Sequence, residues 1–173
     1  PVRDGALMRY VLLSSEDITA RRQAERPQDG QERKEELFMS ETYRFLVNNV
    51  TEYAIFMLDP AGHVVTWNSG AAILKGYTTE QILGRHFSIF YSKEDCAAEK
   101  PRRELEMCLR DGKVEDEGWR YRSDGSRFWA NVMVSPVYDQ GRHVGFVKIT
   151  RDLTERKAAE ARLIAAYEES SKL

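Results

Sequence analysis

The sequence predicts an α+β domain: a five-stranded antiparallel sheet with short helices on one face and flanking N- and C-terminal helices. Two observations predict it. Apolar residues alternate with a period of two in two separate blocks, near residues 53–67 and 114–151. Between the blocks lie several short segments with helix caps, so the order is helix, two strands, short helices, three strands, helix.

Residues 27–36, with Pro27, Gly30 and a run of charges, read as a linker entering a helix. That helix covers about 31–49, with Leu37, Phe38, Phe45 and Leu46 as its apolar stripe. Tyr53–Leu58 is an apolar strand stopped by the turn Asp59-Pro60-Ala61-Gly62, and His63–Trp67 is its hairpin partner. Asn68 or Ser69 caps a helix through Lys75 that Gly76 ends. Thr79–Leu83 is a further helical turn closed by Gly84. Ser92 caps a charged helical stretch to Arg110, interrupted at Pro101 and ended by Asp111-Gly112. Three strands follow, Val114–Arg122, Arg127–Tyr138 and His143–Arg151, joined by Ser123-Asp124-Gly125-Ser126 and Asp139-Gln140-Gly141. From Thr154 the chain is helical to its end, with Arg156, Ala159, Leu163, Ala166, Ser170 and Leu173 as a thin coiled-coil stripe.

The 173 residues suffice for one core plus flanking segments. With a net charge of −2, nothing argues for nucleic acid or an anionic membrane surface as a partner, and neither is expected. No apolar run is long enough to span a bilayer. Cys96 and Cys108 lack metal or redox spacing and fit free thiols in a reducing cytoplasm. There is no nucleophile–base pairing, phosphate loop or metal-ligand cluster, so the expectation is a non-catalytic chain.

One segment recurs. Ser15-Glu16-Asp17-Ile18-Thr19-Ala20-Arg21 matches Thr150-Arg151-Asp152-Leu153-Thr154-Glu155-Arg156, with Ala24 and Glu25 echoing Ala159 and Glu160. Residues 1–26 then read as the C-terminal tail of a preceding copy of the domain, in a fragment of a longer protein. The remaining organisation is 27–40 linker and N-terminal helix, 41–153 the domain, and 154–173 a signalling helix.

The layout, with Asp59-Pro60-Ala61-Gly62, Trp67-Asn68, Gly76-Tyr77, Ile82-Leu83-Gly84-Arg85, Arg122-Ser123-Asp124-Gly125-Ser126 and Asp152-Leu153-Thr154, resembles the PAS domain family with its PAC segment over roughly residues 41–157. The resemblance implies sheet order 2-1-5-4-3 and a pocket between the inner sheet face and the short helices. It also implies homodimerisation through flanking helices and a sensor role in a two-component system, the parent protein being a bacterial-type histidine kinase or a diguanylate cyclase. Asp152 and Thr154 sit where a strand becomes a helix and can take its orphan N–H groups, while Arg156 can pair with Asp152. This seam is the expected signal relay.

Phe128 to Pro136 is similar to a strand of the flavin-binding, light-sensing LOV branch. That branch needs a cysteine where this chain has Phe87, so covalent flavin chemistry is excluded. Its flavin-edge amides would fall at Arg120 and Ala130 and its glutamine at Thr150, so tight flavin binding is not expected. His63, His86 and His143 lie off the helix that commonly ligates haem in the family. No cofactor is required, and a flavin or haem sensor of light, gas or redox state stands as the alternative.

Alternation places Ala130, Val132 and Val134 on one face, and the similarity to the LOV branch implies that Phe56 and Leu58 face inward on the first strand; the last strand would then send Phe146, Lys148 and Thr150 inward, and the strand from Val114 would send Arg120 and Arg122. With Phe87, all but Phe146 and Arg122 form the candidate ligand pocket. A lysine and an arginine beside apolar walls are costly unless paired. Either an anionic small molecule balances them, or Glu115, Asp116 or Glu117 does so internally, or they reach the rim. Trp119 and Tyr121 would then face outward with Val147 and Ile149, covered by the N-terminal helix or a second protomer. A bulge reversing the parity would instead make Trp119 core.

Overall fold

A computed structural model describes residues 27–171. The recurrence at residues 15–25 lies outside them. Helix α1 (Pro27–Asn49) begins at Pro27, so the residues expected to form a linker are helical, Gly30 included. Strand β1 (Tyr53–Leu58) follows. Then come α2 (Ser69–Lys75), α3 (Thr79–Ile82), a 3₁₀ turn (Phe87–Phe90), α4 (Lys93–Ala97) and α5 (Lys100–Asp111). Strands β2 (Val114–Tyr121), β3 (Arg127–Asp139) and β4 (Arg142–Asp152) lead into α6 (Thr154–Ser170). The helical stretch expected over 92–110 is two helices. Glu99 takes a left-handed conformation (φ 55°), and Pro101 opens α5 where its missing N–H costs nothing.

The sheet has four strands in the order β1-β4-β3-β2, all antiparallel, rather than the expected five. The segment after the first turn forms no ladder with β1 and meets its backbone at the isolated bridge Leu58–Val64, through Val65 N–H to Met57 O (2.9 Å) and through Asn68 N–H to Ile55 O (3.3 Å). The reason is visible along the free edge of β1. Met57 N–H donates to Thr66 Oγ1 (2.9 Å) and Ile55 N–H to Asn68 Oδ1 (2.9 Å). Side-chain oxygens thus stand where a second strand would offer carbonyls, and the edge is closed without a ladder.

Parity holds across the sheet. Ala54, Phe56 and Leu58 of β1 are buried on the inner face with Phe128, Ala130, Val132 and Val134 of β3 and Phe146, Lys148 and Thr150 of β4. The short helices close over them through Ala71, Ile82, Phe87, Phe90, Tyr91, Leu105 and Cys108. The one register shift between β3 and β4 lies at Val137/Tyr138, remote from Trp119. Trp119 is therefore half-buried on the outer face, edge-on to Trp129 at 5.3 Å, and not core.

Asn68 joins the layers. Its Oδ1 accepts from Ala71 N–H (2.8 Å), capping α2, as well as from Ile55 N–H. Its Nδ2 donates to Val47 O, Val50 O and Tyr53 O, fastening the end of α1 to the start of β1.

Candidate functional site: a buried ionic cluster and the strand-to-helix seam

The sequence-predicted pocket residues Phe56, Leu58, Phe87, Arg120, Ala130, Val132, Val134, Lys148 and Thr150 are all buried together beneath the short helices. Lys148 points inward because it alternates with the outward Val147 and Ile149. Its Nζ donates to Glu104 Oε2 (2.8 Å) and to the hydroxyl of Tyr91 (2.9 Å). The Tyr91 hydroxyl donates to the same carboxylate oxygen. Burial pushes the Glu104 carboxyl up, but Lys148 and the two hydrogen bonds outweigh it and hold the group below its ordinary value. Burial also lowers the Lys148 ammonium, in spite of Glu104 beside it, and lifts the Tyr91 phenol well above its usual range.

The central carbon of the Arg120 guanidinium lies over Tyr91, 4.2 Å from the ring centre. Its Nη2 donates to Asp116 Oδ2 (3.0 Å), four residues back on the same strand, and its Nη1 to Trp119 O (3.0 Å). Asp116 also takes Lys100 (3.1 Å) at the half-exposed rim. Asp116 is one of the internal partners the sequence offered for Arg120. Glu115 and Glu117 face outward, bonded to Asn131 and Trp129.

Three members of the cluster escaped the sequence reading: Tyr91, Glu104 and Lys75. Helical spacing carried a signal for two of them. Glu104 shares the buried stripe of Pro101, Leu105 and Cys108, and Lys75 lies one turn after buried Ala71. Lys75 is 1% exposed, with its ammonium 4.1 Å from the centre of the Phe90 ring and within 6 Å of Phe128 and Phe56. Among the described residues it has no ion-pair partner. Burial, reinforced by the charges of Lys148 and Arg120, pulls its pKa well below the ordinary value.

The seam is built differently from the expectation. Asp152 closes β4, and its Oδ1 accepts from both Thr154 N–H (2.8 Å) and Thr154 Oγ1–H (2.6 Å). Thr154 Oγ1 in turn accepts from Trp129 N–H (2.9 Å), while Leu153 N–H donates to Trp129 O (2.7 Å). The second oxygen of Asp152 takes Arg122 (2.8 Å), not Arg156. Arg156 points to solvent and pairs with Glu160 at 3.0 Å. The reason is geometric: Asp152 faces the sheet interior end, whereas Arg156 lies on a helix with no buried residue. Lys157, one residue on, lies 3.8 Å over the Trp129 ring and fixes the first turn of α6 against β3. Leu163, Ile164 and Tyr167 further along α6 are exposed.

On the outer face, a groove of about 970 Å³ runs between α1 and the sheet, lined by Met39, Tyr43, Val47, Ile55, Met57 and Val65 among others. Along α1 the expected apolar stripe of Leu37, Phe38, Phe45 and Leu46 is exposed, as are the groove-lining Met39 and Tyr43. Of the histidines, His63 pairs with Asp59 (3.2 Å), His86 opens the 3₁₀ turn, and His143 lies on β4 against Phe146.

The described geometry agrees with known proteins. A family model described as "PAS domain" matches residues 52–155. Two-component system protein A of Emericella nidulans is 55% identical over 173 residues, all of this chain and 24% of that protein. The chain thus spans about a quarter of that relative's length. The PAS domain of a protein from Colwellia psychrerythraea superposes with a TM-score of 0.62 at 25% identity, over 68% of this chain and 98% of that one. The PAS domain of an HTR-like protein from Haloarcula marismortui gives 0.59 at 25% identity, over 71% and 98%. With its sheet, its cap of short helices and its strand-to-helix seam in the places the match requires, this chain belongs to the PAS domain family.

Proposed function

We propose that the chain is the sensory module of a two-component signalling protein, a histidine kinase by this reading, and that it relays changes in its core through β4 into α6. The observation that carries the proposal is the make-up of β4. One strand holds Lys148 and Thr150 in the interior, and four residues after Lys148 its Asp152 carboxylate holds the first turn of α6. A strand is stiff along its length, so a shift at Lys148 moves the base of α6. The similarity to two-component system protein A supports the setting.

The same reading makes the module a homodimer, held by α1, α6 and the outer sheet face. Exposed Phe38, Phe45, Leu46, Leu163, Ile164 and Tyr167 on the two flanking helices supply the apolar surface. The module itself is non-catalytic and cytoplasmic in this reading, without a nucleic-acid partner. No described helix is long and apolar enough to cross a membrane. Light scattering of the chain and of a version ending at Thr154 tests the role of α6. The longer chain is expected to run as a dimer and the shorter to dissociate already at a higher protein concentration. Equal dimerisation by both would remove α6 from the interface.

A further inference from the structure

A histidine stands where a helix cap belongs. His86 precedes the 3₁₀ turn, and its Nδ1 accepts the N–H of Ser88 (3.2 Å), with the Ser88 hydroxyl at 2.8 Å. The residue types that usually fill such a place, Ser, Thr, Asp and Asn, cap through an oxygen that stays an acceptor at neutral and mildly acid pH. An imidazole nitrogen does not, because the same lone pair takes a proton near about pH 6.5. A histidine cap is therefore conditional on pH.

The ring is held on its other edge as well. A backbone N–H can only donate, so Nδ1 is bare and the neutral imidazole carries its proton on Nε2. That edge faces the turn after β1, where the Ala61 carbonyl accepts from it. Nε2 lies so close to Gly62 that a Cβ there would sit 2.6 Å away. Gly62 (φ 91°) leaves the room, and its carbonyl accepts from Phe87 N–H (3.0 Å). An isolated bridge between His63 and His86 ties the same two segments. The titratable groups facing the ring are His63, edge-on at 5.5 Å, and Asp59, which pairs with His63. Arg85, the preceding residue, lies over Tyr77 instead. Burial, and after it the charge of His63, hold the His86 pKa below its ordinary value, with Ala61 and Asp59 opposing.

We propose that His86 is an acid-released latch: neutral, it caps the 3₁₀ turn and pins it to the turn after β1; protonated, it lets the 3₁₀ turn go. The incoming proton takes the lone pair of Nδ1. The Ser88 hydroxyl can accept it, but the Ser88 N–H then faces a donor and loses its acceptor. The loosened turn carries Phe87 and Phe90, both fully buried, and leads into Tyr91, whose hydroxyl meets Glu104 and Lys148. Because the folded pKa is depressed, the stability the latch contributes is full above the ordinary histidine value and is lost as pH falls through the folded one. Through Tyr91 the release reaches Lys148 on β4. That onward route rests on the relay reading, whereas the latch itself does not.

The test is nuclear magnetic resonance of the whole chain from about pH 8 to about pH 5. The His86 ring protons and the Ser88 amide are expected to titrate with one shared midpoint below about 6.5. Below that midpoint the Tyr91 amide, which donates to Ser88 O across the turn (3.0 Å), is expected to exchange about tenfold faster than in a His86→Asn chain at the same pH. There a side-chain oxygen keeps the cap throughout the range. The proposal is overturned by a Ser88 amide that does not follow His86, by a His86 midpoint at or above the ordinary histidine value, or by equal Tyr91 exchange in the two chains at every pH. The first two are read on the parent alone, so they decide the matter even if His86→Asn folds poorly. If the Thr154 amide stays still while Ser88 and Tyr91 respond, the relay route fails and the latch stands.

Discussion

Replacing Glu104 by leucine isolates the energetics of the buried cluster. Glu104 and Lys148 are almost wholly removed from solvent at 2.8 Å separation. At an effective dielectric constant of about 20, that separation corresponds to a Coulomb attraction of about 6 kcal/mol. Desolvation of both ions offsets most of it, but removing one partner leaves the other buried and uncompensated, which costs about 3–5 kcal/mol. Glu104→Leu strands both the Lys148 ammonium and the Tyr91 hydroxyl, so the upper part of that range is expected. For a domain of this size the loss lowers the melting temperature by roughly 10–20 °C. Urea unfolding followed by circular dichroism reads it directly. The double variant Glu104→Leu/Lys148→Met is expected to recover most of the loss, because neither charge then remains to be desolvated. Acid sensitivity follows with a definite sign. The Glu104 carboxyl is depressed in the fold, so its contribution is present above the ordinary glutamate value and is lost as pH falls through the folded value. The double variant lacks that portion of the acid limb. A single variant that loses less than about 1 kcal/mol, or a double variant no better than the single, would refute the account.

Lys75→Met is expected to change the alkaline limb instead. The Lys75 ammonium is depressed in the fold by burial and by the charges of Lys148, Arg120 and Arg122, with Glu104 opposing. Parental stability therefore rises as pH climbs from the folded value toward the ordinary lysine value, and unfolding midpoints of the variant should lack that rise. Asp152→Ala removes the acceptor for Thr154 and the partner of Arg122, costing about 1–3 kcal/mol, and hydrogen exchange should quicken at the base of α6 before it does in β1. Arg156→Ala, by contrast, should stay within about 0.5 kcal/mol of the parent, because its pair with Glu160 is exposed. Asn68→Ala loses the α2 cap and the ties to Val47, Val50 and Tyr53, an expected cost of about 2–3 kcal/mol by chemical denaturation.

The period-two alternation sorted each strand into two faces, the resemblance to the LOV branch indicated which one is inward, and the buried set on β1, β3 and β4 follows residue by residue. Alternation works there because one face of the sheet is dry, and a one-residue slip would expose every core side chain. It failed at 63–67, where apolar spacing is present but Thr66 and Asn68 side chains take the β1 donors. No periodicity reports that a side-chain oxygen will stand in for a carbonyl.

Local pattern thus determined the PAS layout, the inward lysine and arginine, and the place where β4 becomes α6. Partners across the fold were decided only by tertiary structure. Asp152 could reach either Arg122 or Arg156 by chain distance, and strand packing brought the first while helix exposure took the second away. Lys148 meets Glu104 across 44 residues, and Lys75 reaches the same core from α2. Spacing along a strand or helix follows from backbone geometry, but the pairing of buried charges depends on which elements pack together, and only the folded chain specifies that.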